Sequence, residues 1–322
     1  MEKSPIVQNP AGAPDTTTVS DSTARYIRAS RAYNTRRAYQ SDLRDFREWC
    51  EDNNRAHFPA VPKTVADYLA YLADQGMKVS TIERRNVAIS EAHKSAGVPN
   101  PTATEIVRKA MSGIRREHGA PRRKVRAVTV RELRAMCEAM PDTLAGYRDR
   151  AILCVQFAGA MRRSELSSLI VEDVEWGVDE VALTIRRSKT DQAGEGMRKV
   201  LPASSDPAIC PVRLLRRWLT TAGIDDGAVF RGVDQHGHVG AGALTPGNIA
   251  LVWKRAAERV GIAADRVSGH SARRGFITEA FKAEVAEADI QQVTGHKSIA
   301  VLRDYRADAG QAQRKAVNKV MG

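Results

Sequence analysis

Four cysteines in 322 residues, Cys50, Cys137, Cys154 and Cys210, are too few and too far apart along the chain for a disulfide framework or a thiolate metal site. A reduced, metal-free interior is expected. No apolar run reaches membrane length and no basic leader precedes a short apolar stretch, so the expectation is a soluble, cytoplasmic protein with no membrane partner. The G-x-x-x-x-G-K-[ST] box that cradles nucleotide phosphates is missing, and no internal repeat of fixed period is visible. His236-Gly237-His238 lies in a Gly-rich loop without thiol or carboxylate partners at useful spacing. Neither a metal nor a cofactor is expected.

What the chain has in excess is positive charge: net +12, with a pI near 9.8. That balance fits a polyanionic partner. Residues 1–126 carry net +8 and the remainder +4, so the amino-terminal part should contribute strongly to backbone affinity. The length allows two hydrophobic cores.

Residues 1–22, rich in Pro, Thr, Ser and Ala, read as a disordered arm. Helical periodicity begins near Thr23. One helix carries Leu43, Phe46 and Trp49 on its apolar stripe; the next runs from Pro62 to Gly76, a third is capped by Ser80 and runs to Gly97, and a fourth follows Pro101 to about Arg116. Four helices over residues 23–118 make a bundle. Residues 119–128 break the pattern with Gly119 and Pro121 and carry Arg122, Arg123 and Lys124, which reads as a basic linker crossing phosphates. From Thr129, a helix cap, to residue 322 the pattern is helical again, interrupted by a small sheet around residues 171–201. The fold class is mainly α: a helical bundle followed by an α+β domain with a small antiparallel sheet.

Chemistry concentrates in the second part. His270 and Arg273 stand three apart, on one face of a helix, and Gly295-His296 and Tyr305 follow after a helix-length gap. Upstream, the apolar run Ala151–Ala160 ends near Gly159, and Met161-Arg162-Arg163-Ser164-Glu165-Leu166 reads as the start of the next helix, with a carboxylate placed to fix an arginine fork. Residues 181–201 read as a β-hairpin with Lys189 near its tip. Each of these residues alone is most often packing or surface. Together they offer one phosphate a cationic clamp, proton carriers and a nucleophile.

In order, Arg162, Lys189, His270, Arg273, His296 and Tyr305 resemble the catalytic series of the tyrosine recombinase (phage integrase) family, including its R-x-S-E-L and G-H-x-x-R boxes. The likeness is nearest to the Cre type, and it extends to Asn53-Asn54-Arg55, Phe58-Pro59-Ala60 and Asp67-Tyr68-Leu69, covering the chain from about residue 23 to its end. The resemblance implies a site-specific DNA recombinase that cleaves and rejoins DNA through a 3′-phosphotyrosine on Tyr305, without ATP or metal. Arg162, Arg273 and His296 would hold the phosphate, His296 standing where the Cre type has Trp. Lys189 would protonate the leaving 5′ oxygen, His270 would assist Tyr305, and Glu165 would orient the basic groups.

By the same resemblance, DNA contacts would come from the helix bearing Arg36, Arg37 and Gln40, the one bearing Arg84, Arg85 and Asn86, and the helix from Pro246 with Asn248 and Lys254. The partner would be double-stranded DNA with a two-half-site target, bound by a protein that is monomeric when free and tetrameric in the synaptic complex, its terminal helix exchanged between neighbours. A nucleoid-associated protein of prokaryotic, phage or plasmid origin fits this reading. Two other readings stand beside it: a type IB topoisomerase or telomere resolvase with the same phosphate chemistry, and a noncatalytic DNA-binding protein of the same fold.

Overall fold

The computed structural model describes residues 20–29, 33–119, 125–186 and 196–296, with Ser298, Leu302, Tyr305, Val317, Val320 and Met321. Residues 1–19 of the expected arm, the triplet Arg122, Arg123 and Lys124, Lys189 and most of the terminal helix lie outside the described residues. The chain divides into two compact units, Met1–Arg122 and Arg123–Gly322.

The first unit contains α1 (Asp21–Ala29), α2 (Tyr33–Asp52), α3 (Pro62–Asp74), α4 (Val79–Ser95) and α5 (Glu105–His118), with a 3-10 turn at Pro101–Ala103. There are thus five described helices where the periodicity indicated four. The first begins at Asp21, inside the expected arm, where the Ser20 hydroxyl accepts from Thr23 N. Pro62 sits in the first turn of α3, where a missing N–H costs nothing. Ser80 does not cap α4: the cap lies two residues earlier, at Lys78, and the helix starts at Val79. Pro101 opens the 3-10 turn, capped by Asn100, and α5 starts four residues later. Phe46, Val65, Tyr68, Leu69, Leu72, Ile82, Ile89, Val107 and Met111 fill the core.

The second unit begins with α6 (Val130–Glu138), held by a reciprocal capping box between Thr129 and Glu132. Then come α7 (Leu144–Ala158), α8 (Arg163–Ser167), strands β1 (Val174–Trp176), β2 (Glu180–Ile185) and β3 (Met197–Pro202), and α9 (Pro211–Ala222). After β4 (Arg231–Val233) and β5 (Val239–Ala243) come three more helices: α10 (Pro246–Arg259), α11 (Gly269–Lys282) and α12 (Glu287–Thr294). β1, β2 and β3 form one antiparallel sheet in that order, and β4 pairs with β5 in a second sheet that the sequence did not signal.

α7 is the central post of this unit. Every residue from Ala151 to Phe157 is buried, as expected for a helix apolar on all sides. Trp218 of α9 and Trp253 of α10 are wholly buried in the same core. The cysteines are all free and buried. Cys137 and Cys154, distant along the chain, bring their Sγ atoms to 3.4 Å. Among the described residues no His, Cys, Asp and Glu cluster could hold a metal ion, and no helix is long and apolar enough to cross a membrane.

Candidate active site

α7 stops at Gly159, and a few residues later Arg162 takes the N-cap of α8 with extended backbone. Glu165, one turn into α8 and 2% exposed, accepts from the Arg162 backbone N at 2.8 Å and from its Nη1 at 2.6 Å. One carboxylate therefore caps the helix and fixes the arginine fork. Arg163 is exposed, and its aliphatic stem lies over Gly269, where a Cβ would collide with it. A side chain at 269 would displace that stem.

α11 starts at Gly269 under a capping box from Ser268 and Ser271, and carries His270 and Arg273 in adjacent turns. Arg273 is 2% exposed; its Nη1 donates to Ala160 O at 2.7 Å and its Nη2 to Thr294 O at 2.6 Å. The guanidinium thus bridges the end of α7 to the end of α12. Burial first, then Arg162, lowers its pKa to about 10, against the opposing pull of Glu165 and Tyr305, so it stays charged at neutral pH.

α12 ends at Gly295 in the left-handed region, φ 65°, a conformation glycine adopts without strain. His296 comes next. Its Nδ1 lies 2.7 Å from Thr294 Oγ1, and its Nε2 lies 3.2 Å from Arg273 Nη2. Because Thr294 Oγ1 donates to Ile290 O at 2.7 Å, the consistent tautomer has Nδ1–H donating to Thr294 and Nε2 accepting from Arg273. Burial, then Arg273 and Arg162, press the His296 pKa to about 4, so the ring is neutral at pH 7. His270, exposed at the head of α11, is also lowered, by partial burial of its ring and then by Arg273, Arg163, Arg162 and Arg274.

Tyr305 is half-buried against the small cluster of Ile277, Ala280, Phe281, Ile290 and Leu302. Its ring centroid is 6.1 Å from that of His296, and the Arg274 guanidinium carbon lies 5.5 Å from its ring centroid. Arg162, Glu165, His270, Arg273, His296 and Tyr305, drawn from four separate stretches of chain, therefore gather in one place. Lys189 lies outside the described residues, on the connection between β2 and β3.

Two residues of this site escaped the sequence reading. Gln156 of α7, fully buried, donates from Nε2 to Met161 O and Gly269 O, both at 3.1 Å, and accepts from Trp253 Nε1 at 2.6 Å. It pins the backbone beside Arg162 and beside His270. Lys199 of β3 is 5% exposed, with Nζ bonded to Gly159 O at 2.9 Å and to Val293 O. A lysine at an inward position between Met197 and Leu201 was the available signal.

Of the residues expected at DNA, Arg37 and Gln40 are exposed on α2, and with Arg84 and Arg44 they line one surface hollow. Arg36 and Asn86 are half-buried, Asn248 is exposed and Lys254 is half-buried. Arg85 is a correction. It is 9% exposed, and its Nη1 donates to Tyr68 Oη and its Nη2 to Asp45 Oδ2, both at 2.6 Å, so both terminal nitrogens are engaged inside the bundle.

The pattern of the Phage integrase family matches residues 126–311, and that of the phage integrase N-terminal SAM-like domain matches residues 24–96. The chain belongs to the phage integrase (tyrosine recombinase) family. Among its relatives, the integrase/recombinase XerD homolog of Selenomonas ruminantium is 35% identical over 300 residues, covering 92% of this chain and 88% of that protein. Recombinase Cre of Escherichia phage P1 is 27% identical over 290 residues, covering 82% and 81%. The fold is shared with XerH recombinase in its post-cleavage complex with palindromic difH substrate, at TM-score 0.64 and 16% identity over 89% of this chain and 80% of that one.

Proposed function

We propose that this site-specific recombinase breaks and rejoins duplex DNA with Tyr305 as nucleophile. The carrying observation is the convergence of Arg162, Arg273, His296 and Tyr305 from separate elements around a buried, cation-rich centre. The Tyr305 oxygen attacks the scissile phosphorus, the bond from phosphorus to the 5′ oxygen breaks, and a 3′-phosphotyrosine forms with a free 5′-hydroxyl. Attack by another strand's 5′-hydroxyl reverses the step and reseals the DNA. The phosphodiester energy stays in the covalent link, so no cofactor is needed.

Arg162 and Arg273 hold the nonbridging oxygens, where charge builds as the phosphorus becomes five-coordinate, and planar forks suit that geometry. Neutral His296 adds a hydrogen bond when its one N–H turns from Thr294 Oγ1 to the phosphate. Lys189 delivers the proton to the leaving 5′ oxygen and His270 assists loss of the Tyr305 proton. Glu165 keeps Arg162 aimed.

Arg36, Arg37, Gln40, Arg84, Asn86, Asn248 and Lys254 are the proposed DNA contacts outside the catalytic centre, and Arg122, Arg123 and Lys124 lie on the basic connection between the units. Two half-sites each take one protomer, and two such sites synapse through a tetramer joined by exchanged C-terminal segments. The reaction is tested with Tyr305→Phe, which removes one oxygen and keeps the ring. DNA binding survives and the denaturation-resistant protein–DNA adduct disappears; an adduct formed by the Phe variant would refute the assignment.

A further inference from the structure

Strand alternation turns every second residue of β3 inward, and one of those places holds Lys199. Lysine is almost never so deeply buried unless its ammonium is paired. Here it is paired with two backbone carbonyls, Gly159 O at the end of α7 and Val293 O in the last turn of α12. Arg273 spans the same two helix ends one residue further along each, from Ala160 O to Thr294 O. The two cations are parallel rungs between one pair of chain segments.

Both segments run straight into the catalytic series. Gly159 and Ala160 lead directly to Arg162; Val293 and Thr294 lead directly to His296. Met197, two residues before Lys199, packs against Gly295, where any Cβ would collide with it. β3 thus grips the turn that presents His296 at two points, one apolar and one charged.

We propose that Lys199 is a positioning residue for the recombination reaction: by tying Gly159 O to Val293 O it sets the separation of Arg162 and His296 at which both meet one phosphate. This rests on the assignment of Arg162, Arg273, His296 and Tyr305 to the phosphate chemistry. Lys199, bonded through Nζ to the two backbone carbonyls, keeps the two segments in place through the reaction. The charged and titratable groups facing it are Glu165 and Arg162 from the start of α8, Arg273 from α11 and His296 beyond α12. On β2 its register partner is apolar Leu183. Burial first, then Arg273 and Arg162 against the opposing effect of Glu165, bring the ammonium to a pKa of about 8, so its charge-assisted bonds weaken as pH rises through that value.

The test uses the full chain and a nicked suicide duplex built on the sequence that the wild-type protein enriches from random-sequence duplexes. Adduct formation at saturating DNA, DNA affinity and melting temperature are measured for wild type, Lys199→Met, Lys199→Arg and Tyr305→Phe. Lys199→Met keeps its affinity and loses adduct rate on the order of 10²-fold, the cost of a reacting group displaced by about an ångström. Lys199→Arg, which keeps the charge and the donors, recovers most of that rate and holds it above pH 8, where the wild type declines. A wild-type rate in Lys199→Met overturns the proposal, as does Lys199→Arg behaving no better than Lys199→Met. Parallel loss of rate, affinity and melting temperature in Lys199→Met would make the residue merely structural and also overturn it. Adduct formation by Tyr305→Phe would instead sink the assignment of the nucleophile, whatever Lys199 does.

Discussion

Arg85 in the N-terminal unit and Arg273 in the second unit are both buried with both terminal nitrogens bonded, yet their partners differ in kind. Arg85 bonds Asp45 at 2.6 Å and lies 3.7 Å from Asp42, while Arg84 pairs with the same Asp42 at 2.9 Å. Two arginines meet two aspartates and the charge cancels. Arg273 bonds carbonyl oxygens, and the one carboxylate acting on it, Glu165, is already bonded to Arg162. Carbonyls satisfy N–H groups without neutralising them, so Arg162, Arg273 and Lys199 against Glu165 leave a cationic excess. Burial of such charge costs several kcal/mol. What a buried arginine bonds to, more than how deeply it sits, decides whether its charge is cancelled locally or left over.

Exchange of roles would break that comparison. Arg273→Ala removes a preorganised donor and lowers adduct formation at saturating DNA by about 10²- to 10³-fold, with half-site affinity little changed in gel-shift titration. If the loss appears in melting temperature and not in rate, Arg273 belongs with Arg85. Arg85→Met should do the reverse. It strands Asp42, which is 2% exposed, and Asp45, and destabilises the N-terminal unit by about 3 kcal/mol in chemical denaturation, near the lower end for a broken buried pair because Arg84 remains. A large defect in adduct rate at saturating DNA, with unchanged stability, would place Arg85 at the reaction after all.

The smallest effect sharpens the contrast through pH. His296, at about 4, binds its proton less readily in the folded protein than in the unfolded chain, whose histidine titrates near 6.5. The unfolded state therefore takes up the proton first. This contribution to stability is fully present above pH 6.5 and is lost as pH falls toward 4. His296→Asn should flatten the melting temperature over that window, and profiles that run parallel to wild type would show that the ring is not held neutral by the neighbouring arginines.

Spacing made much of the site legible. The H-x-x-R interval needs only the helical period to put His270 and Arg273 on one face, and R-x-S-E-L at a helix start lets Glu165 reach back to Arg162 whatever surrounds it. Arg85 was misread because Arg84, Arg85 and Asn86 are equally polar along the chain. Only Asp42 and Asp45, on another helix, decide which of them turns inward. β4 and β5 were missed because Gly232, Gly240 and Gly242 erase the alternation that marks a strand. The approach of the Cys137 and Cys154 thiols, and the reach of Lys199 from β3 to two helices, are long-range facts that no local pattern carries.

Gln156 has a consequence for how such an enzyme changes its target. Met161 O and Gly269 O can only accept and the Trp253 indole can only donate, so the amide has one orientation and no near substitute; glutamate would set oxygen against oxygen. Trp253 is the inner face of α10, whose other face carries exposed Asn248 and Leu251 and half-buried Lys254. One face is fixed by the core and the other is open to solvent. Residues proposed to read bases can be rewritten by a designer while the indole keeps α10 moored to the backbone beside Arg162 and His270, so retargeting and catalytic competence need not be traded against each other.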